Sequence, residues 1–233
     1  MIARFAPSGS MGDDLMLPLS FPASAFVEKS LLKAMAAIAP KDVRIGCRII
    51  REGDETHLFP EEARSIPARS QAARRASGAA RRIAHGLLAD LGMGDFAILR
   101  TSSGAPAWPD GITGSLAHDD EMAVAALAPV SVSHIGSIGI DIEPAQPLPD
   151  DISALVATSA DTTGSADRHL AGRILFAAKE AVYKATYPLD HKVLGYEDIA
   201  VNLNAGRAMT KTGRGARLAY CVARHVVVLA FVH

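Results

Sequence analysis

Four short stretches of the chain carry side chains able to do chemistry. In the first, Ser137 to Glu143, Ile138, Ile140 and Ile142 alternate. As a strand it buries that face, so Gly139, Asp141 and Glu143 share the other. Two carboxylates at i and i+2 repel each other unless a cation or a basic partner sits between them. They are hard oxygen ligands suited to Mg²⁺, which typically uses one or two carboxylates together with phosphate oxygens. The bland alternative is a solvated strand face. In the second stretch Arg173, Ala177, Glu180 and Lys184 fall on one helical stripe, beside an apolar stripe of Ile174, Ala178, Ala181, Val182 and Ala185. Glu180 and Lys184 form either a weak surface ion pair or a metal- or proton-handling acid beside a phosphate-binding lysine. The third stretch holds Arg74, Arg75, Arg81 and Arg82. Arg74 with Arg81 and Arg75 with Arg82 both span about two helical turns, so spacing does not choose a pair; the stretch is either a charged helix face or a set of guanidinium forks for phosphate. The fourth, Gly114 to Ala117, is a small-residue run ending in His118, which Asp119 and Asp120 are expected to hold in its charged form.

The elements that must position these groups can be read around them. Ser24–Ile38 reads as a helix ended by Pro40, and Arg44–Arg51 as a strand. A helix is expected from about Ser65 and Pro67, with apolar Ala72, Ala76, Ala79, Ile83, Leu87 and Leu91 at helical spacing and Gly92 as its stop. Thr101–Gly114 is rich in turn residues and precedes short strands at Gly114–Ala117 and Met122–Leu127. Ser133–Gly136 reads as a hinge between residues 1–133 and 134–233. After the strand at Ser137–Glu143, a loop is expected from Pro144 to Asp167 and a helix over His169–Tyr187, stopped by Pro188. The tail reads as strands at Ile199–Leu203, Ala216–Arg224 and Val226–Val232. Strands and helices mix in both halves, which predicts an α+β fold in two lobes.

Composition narrows the partners. The 233 residues allow one large domain or two small lobes, and 49% hydrophobic with 21% charged residues fits a soluble globular chain. A formal net charge of −1 gives no global basic field, so nucleic acid is not expected and any anionic ligand needs a local cluster. Cys47 and Cys221 are too few for a disulfide framework and lack metal-ligand spacing, which fits reduced thiols in a cytoplasmic setting. The apolar run Val226–Val232 is strand-length, well short of the roughly 20 residues of a membrane span. Pro7, Gly9, Gly12, Asp13 and Asp14 break any signal-peptide core, and Met1–Asp14 is expected to be a mobile lead-in.

In chain order these stretches resemble the 4′-phosphopantetheinyl transferase family, in particular its two-lobed enterobactin-type and actinobacterial group. The resemblance rests on Trp108 to His118, Ile138 to Pro144 and Ile174 to Ala185, continued by Tyr187-Pro188-Leu189 and Leu194 to Asp198. The arginine-bearing helix from Arg74 to Leu91 also fits, and three such motifs in one order are highly specific. The resemblance implies two pseudo-twofold-related α/β lobes with the active site where they meet. It implies transfer of the phosphopantetheine arm of coenzyme A to a serine of an apo acyl or peptidyl carrier protein. Carriers of this kind serve fatty-acid, polyketide, non-ribosomal-peptide or siderophore assembly. By the same resemblance Asp141, Glu143 and Glu180 are the carboxylates for Mg²⁺ or Mn²⁺, and Glu180 is also the base. Lys184 is the pyrophosphate contact, and His118 the ligand of the 3′-phosphate. Arg74, Arg82, Arg100 and Lys179 are further nucleotide or phosphate contacts, and a monomer is expected. Ala117 departs from the family by replacing the usual serine or threonine, and Ala105 by replacing a common charged residue.

Overall fold

The computed structural model describes residues 23–67, 70–164 and 166–233, so the expected lead-in at Met1–Asp14 lies outside the described residues. Helix α1 (Ala23–Ile38) ends before Pro40 and leads into β1 (Arg44–Ile49). The helix expected from about Ser65 begins instead at Gln71, as α3 (Gln71–Ala89), and a short helix not expected from the sequence, α2 (Pro60–Ser65), precedes it. The break has a local cause. Ile66 precedes Pro67 and is extended, at φ −94° and ψ 118°, as the proline ring requires of its neighbour. The cap of α3 is therefore Ser70, whose hydroxyl accepts the Ala73 N–H at 3.1 Å. Gly92, at φ +77°, turns the chain away past the helix end.

Strands β2 (Ile112–His118) and β3 (Met122–Pro129) follow, then a short helix α4 (Val130–Ser133) and β4 (Ser137–Pro144). Helix α5 (Asp150–Val156) interrupts what reads in sequence as one long loop. Helix α6 (Ala171–Asp190) carries Pro188 in its last turn and ends at His191, which adopts a left-handed φ of 50°. The chain closes with β5 (Ile199–Asn202), β6 (Arg207–Thr210), β7 (Gly215–Val222) and β8 (His225–Val232).

The strands form a three-stranded sheet in the order β1-β3-β2 and a five-stranded sheet in the order β4-β8-β7-β6-β5. Every ladder is antiparallel, so the fold is the expected α+β mixture. The two edge strands β2 and β4 pack side by side. Helix α3 covers the outer face of the smaller sheet, with Ala84 and Leu88 on Ala125 and Leu127. Leu31 and Met35 of α1, Val124 and Ala126 of β3, and Ile138, Ile140 and Ile142 of β4 share a middle core. The other face of β4 and β8 lies under α6, where Val228 and Ala230 meet Ala177, Ala178 and Ala181. Among the described residues no helix is long and apolar enough to cross a membrane.

Candidate active site

The alternation along β4 is as expected, but the face carrying Asp141 and Glu143 meets α6 rather than open solvent. Gly139 makes that possible. A Cβ built there would lie 1.8 Å from the Ala181 carbonyl oxygen and 2.8 Å from the Ala185 nitrogen. Because Ala177, Ala178, Ala181 and Ala185 are also small, the helix axis settles close to the strand. Glu180 and Lys184 are thereby brought beside Asp141.

Lys184 Nζ donates to Asp141 Oδ1 at 2.7 Å and to the Ile140 carbonyl at 3.2 Å. Arg173 Nη1 donates to Glu143 Oε2 at 2.7 Å, with its other nitrogens on the carbonyls of Gln146 and Pro147. The Tyr196 hydroxyl donates to Glu180 Oε1 at 3.0 Å. Burial pushes the Asp141 carboxyl above the usual range; Lys184 pulls it back and the Glu180 charge raises it further. Glu143 is raised in the same way, by burial and then by the charge of Asp141, with Arg173 opposing. Burial and then the Glu180 charge push the Tyr196 phenol up to about 12.

Asp141 Oδ2 is buried and has no hydrogen-bond partner. A buried carboxylate oxygen left unpaired costs free energy that a cation would recover. Among the described residues no three His, Cys, Asp or Glu side chains already form a metal cluster; Lys184 and Arg173 hold two of the acids. The orphaned oxygen and the mutual repulsion of the carboxylates nevertheless fit a divalent ion with a preference for oxygen ligands, as Mg²⁺ and Mn²⁺ have.

A cleft of about 810 Å³ opens along the seam between β2 and β4. Glu180, Tyr183, Lys184 and Tyr187 of α6 form one wall; Ile112–Leu116 and the loop Arg100–Pro106 form the other. A smaller pocket of about 150 Å³ shares Arg100, Gly104, Pro106 and Leu116 with it and adds Ser77, Arg81 and His118. The two pockets adjoin, with Glu180 and Lys184 of α6 at one end and Arg81, Arg100 and His118 at the other.

Glu180, Lys184 and Arg100 line the cleft and His118 the smaller pocket, while Asp141 lies behind the wall, bonded to Lys184, with Glu143 two residues further along β4. Others lie elsewhere. Lys179 is fully buried, and its Nζ is used up by the carbonyls of Val156 and Tyr196 and by Asp161 at 2.7 Å. Arg82 turns to His57 and Asp54 and lines neither pocket. Arg74 lies two turns before Arg81, half-buried, and also lines neither. Arg81 is the helix arginine in the basic pocket, held by Nε on the Ile98 carbonyl at 2.8 Å.

His118 differs from expectation in its charge. The Asp119 carboxylate accepts the N–H groups of Glu121 and Met122, both at 2.7 Å, and lies 3.0 Å from His225, so it reaches His118 only through its charge. Desolvation lowers the His118 pKa; the Asp119 carbonyl and the charges of Asp119 and Asp120 oppose it, Lys184 adds to the lowering, and the lowering wins. Ala117 points into the middle core and lines neither pocket, so its missing hydroxyl opens no gap in the cleft wall. Sequence reasoning missed Arg173 and Tyr196 as partners of the acids. Arg173 was visible on the Glu180 stripe; Tyr196 gave no signal beyond its place after the helix.

Comparison with known proteins places the chain among described relatives. The model of the 4′-phosphopantetheinyl transferase N-terminal domain matches residues 61–128. That of the 4′-phosphopantetheinyl transferase superfamily matches residues 137–230. The chain is 36% identical over 176 residues to 4′-phosphopantetheinyl transferase Npt of Nocardia iowensis, covering 70% of this chain and 78% of the relative. It is 38% identical over 159 residues to Svp of Streptomyces mobaraensis, covering 64% of this chain and 63% of that transferase. It is 42% identical over 146 residues to PptT of Mycobacterium tuberculosis, covering 60% of this chain. The chain thus spans 63% of the length of each of the last two relatives, just under two thirds.

Proposed function

The chain belongs to the 4′-phosphopantetheinyl transferase superfamily, and from that premise we propose that it transfers the phosphopantetheine arm of coenzyme A to a serine of an apo acyl or peptidyl carrier protein. One observation carries the reading. Glu180 and Lys184 line the cleft, and Lys184 is bonded to Asp141, whose second carboxylate oxygen is buried and unpaired.

In this reading residues 1–133 supply the nucleotide end of the cleft and residues 134–233 the reacting end. The serine oxygen forms a bond to the β-phosphorus of the pyrophosphate while the bond from that phosphorus to 3′,5′-ADP breaks. Glu180 takes the serine proton, directly or through one water, because an un-ionised hydroxyl is a poor nucleophile near neutral pH. Lys184 stays at the pyrophosphate and offsets the charge that grows on the departing 3′,5′-ADP. Asp141, Glu143 and Glu180 would hold Mg²⁺ or Mn²⁺, which when bound neutralises pyrophosphate charge. His118, Arg100 and Arg81 hold the 3′-phosphate end; the bound phosphate's charge favours uptake of a solvent proton by His118.

The test is to incubate the protein with coenzyme A, Mg²⁺ and an apo carrier protein, then weigh the carrier. A gain of one phosphopantetheine is expected. Breakdown of coenzyme A with no gain on any of several carriers would refute transfer and point to hydrolysis. Coenzyme A binding with neither product would leave a binding module.

A further inference from the structure

We infer that Tyr196 is a positioning residue for this reaction: its hydroxyl fixes the Glu180 carboxylate, and the neighbouring Lys179 fixes Tyr196 in turn. The inference rests on the transfer reading above, which assigns Glu180 its role. Tyr196 lies in the turn after α6 and reaches back to the helix. Its hydroxyl donates to Glu180 Oε1 at 3.0 Å, while its own carbonyl accepts Lys179 Nζ at 2.9 Å. Two consecutive residues of one helix thus grip one tyrosine at both ends. The ring is steadied by Phe176, with centroids 5.8 Å apart.

The Lys179 end is rigid. The lysine side chain is wholly buried and pairs with Asp161, which is itself 3% exposed. Asp161 also accepts the Val201 N–H and the Thr158 N–H, each at 2.8 Å. The loop before α6, the start of β5 and the tyrosine are therefore tied to one buried ion pair. A carboxylate on an exposed helix face would otherwise sample several rotamers. One that accepts a hydrogen bond from an anchored phenol is held in one of them, and a base must be placed to within a fraction of an ångström to act. This explains why Lys179, beside the proposed base, points away from the cleft.

The test is Tyr196→Phe, which removes one oxygen and keeps the ring. Outer partners of this type are worth roughly 10- to 100-fold in activity. We expect kcat for carrier labelling to fall about tenfold, with KM for coenzyme A and for the carrier changed less than about twofold and the melting temperature nearly unchanged. In a Glu180→Gln background the same substitution should add nothing, since a residue that acts only through Glu180 has no effect once Glu180 is disabled. An unchanged kcat, a loss appearing in KM for coenzyme A, or a full additional loss in the Glu180→Gln protein would overturn the inference. Wild-type protein that labels no carrier would overturn the transfer reading itself, and this inference would fall with it; wild-type labelling with an indifferent Tyr196→Phe sinks the inference alone.

Discussion

Gly139→Ala tests the contact on which the site's geometry depends. The new methyl would sit 1.8 Å from the Ala181 carbonyl oxygen and 2.9 Å from its carbon, on the order of 1.5 Å short of an ordinary contact. Both obstructing groups are backbone, so no side chain can swing aside and α6 must lift from β4. Overpacking of this kind costs about 1–3 kcal/mol, and a backbone-to-backbone clash belongs at the upper end. For a chain of this size about 3 kcal/mol corresponds to a fall in melting temperature of roughly 6–12 °C. The same shift separates Lys184 from Asp141 and moves Glu180, and a misplacement of about 1 Å can cost roughly a hundredfold in rate. Gly86 of α3 supplies the control, since a Cβ there meets nothing within 4 Å. Gly86→Ala should raise stability by about 0.5–1 kcal/mol through helix propensity alone and leave labelling untouched. Melting followed by circular dichroism gives the first quantity. Carrier labelling well below either melting temperature gives the second, so that unfolding does not masquerade as lost catalysis. A Gly139→Ala protein that melts and labels like wild type would refute the claim that this approach sets the site.

Two other perturbations address the basic end and the buried pair. His118→Ala should weaken coenzyme A by about ten- to a hundredfold, the worth of one charge-assisted hydrogen bond, and barely affect 3′-dephospho-coenzyme A; equal losses in calorimetry would reject the phosphate contact. Because the free His118 has a pKa lowered below the ordinary 6.5 and a bound phosphate favours its charged form, the affinity difference between the two ligands should grow as pH falls toward the free protein's lowered value. Lys179→Met leaves Asp161 buried without its cation, a loss of about 3–5 kcal/mol that should appear as a lower melting temperature at pH 7. Burial raises Asp161, but Lys179 and the backbone N–H groups outweigh it and bring it below its ordinary 3.8. The pair's stabilisation is therefore complete above that value and is lost as pH falls through the lower folded one, so wild type and variant should converge in acid. A difference that does not narrow at all as pH falls below 3.8 would count against the pairing.

How much of this was legible in the sequence depends on the range of the force that decides each feature. The strand face of Asp141 and Glu143 followed from three isoleucines, because side-chain alternation is local. The stripe of Glu180 and Lys184 followed from helical spacing for the same reason. Where α3 begins turned on Pro67 and the extended Ile66 before it. The proline was read as part of a helix start, although its effect on the preceding residue equally signals a break. Helix α5 escaped because its seven residues, three polar and four apolar, make only about two turns, too few to show a helical period; it is held by tertiary contact, including the bond from Lys179 to the Val156 carbonyl at 2.8 Å.

The arginines show where local reasoning must stop. Arg81 and Arg82 are neighbours on α3, so they point about 100° apart around its axis, and a seven-residue repeat accommodates either. What separates them is what each finds. Arg82 meets the Asp54–His57 turn, whose buried Asp54 is already held by Arg48 at 2.6 Å. Arg81 meets the Ile98 carbonyl and Glu62, in the wall of the basic pocket. Neither environment is adjacent in sequence, so no spacing rule could rank the two. Tyr196 obeys the same logic: a single phenol in a turn has no periodicity to betray it, and it matters only once the chain after α6 folds back across the helix. The groups proposed for the reacting end are announced by their own spacing, whereas Arg81 and Tyr196 are singled out only by contacts 16 or more residues away. Side chains of the second kind are where the structure adds most to the reading, and where substitutions should divide kcat from KM most sharply.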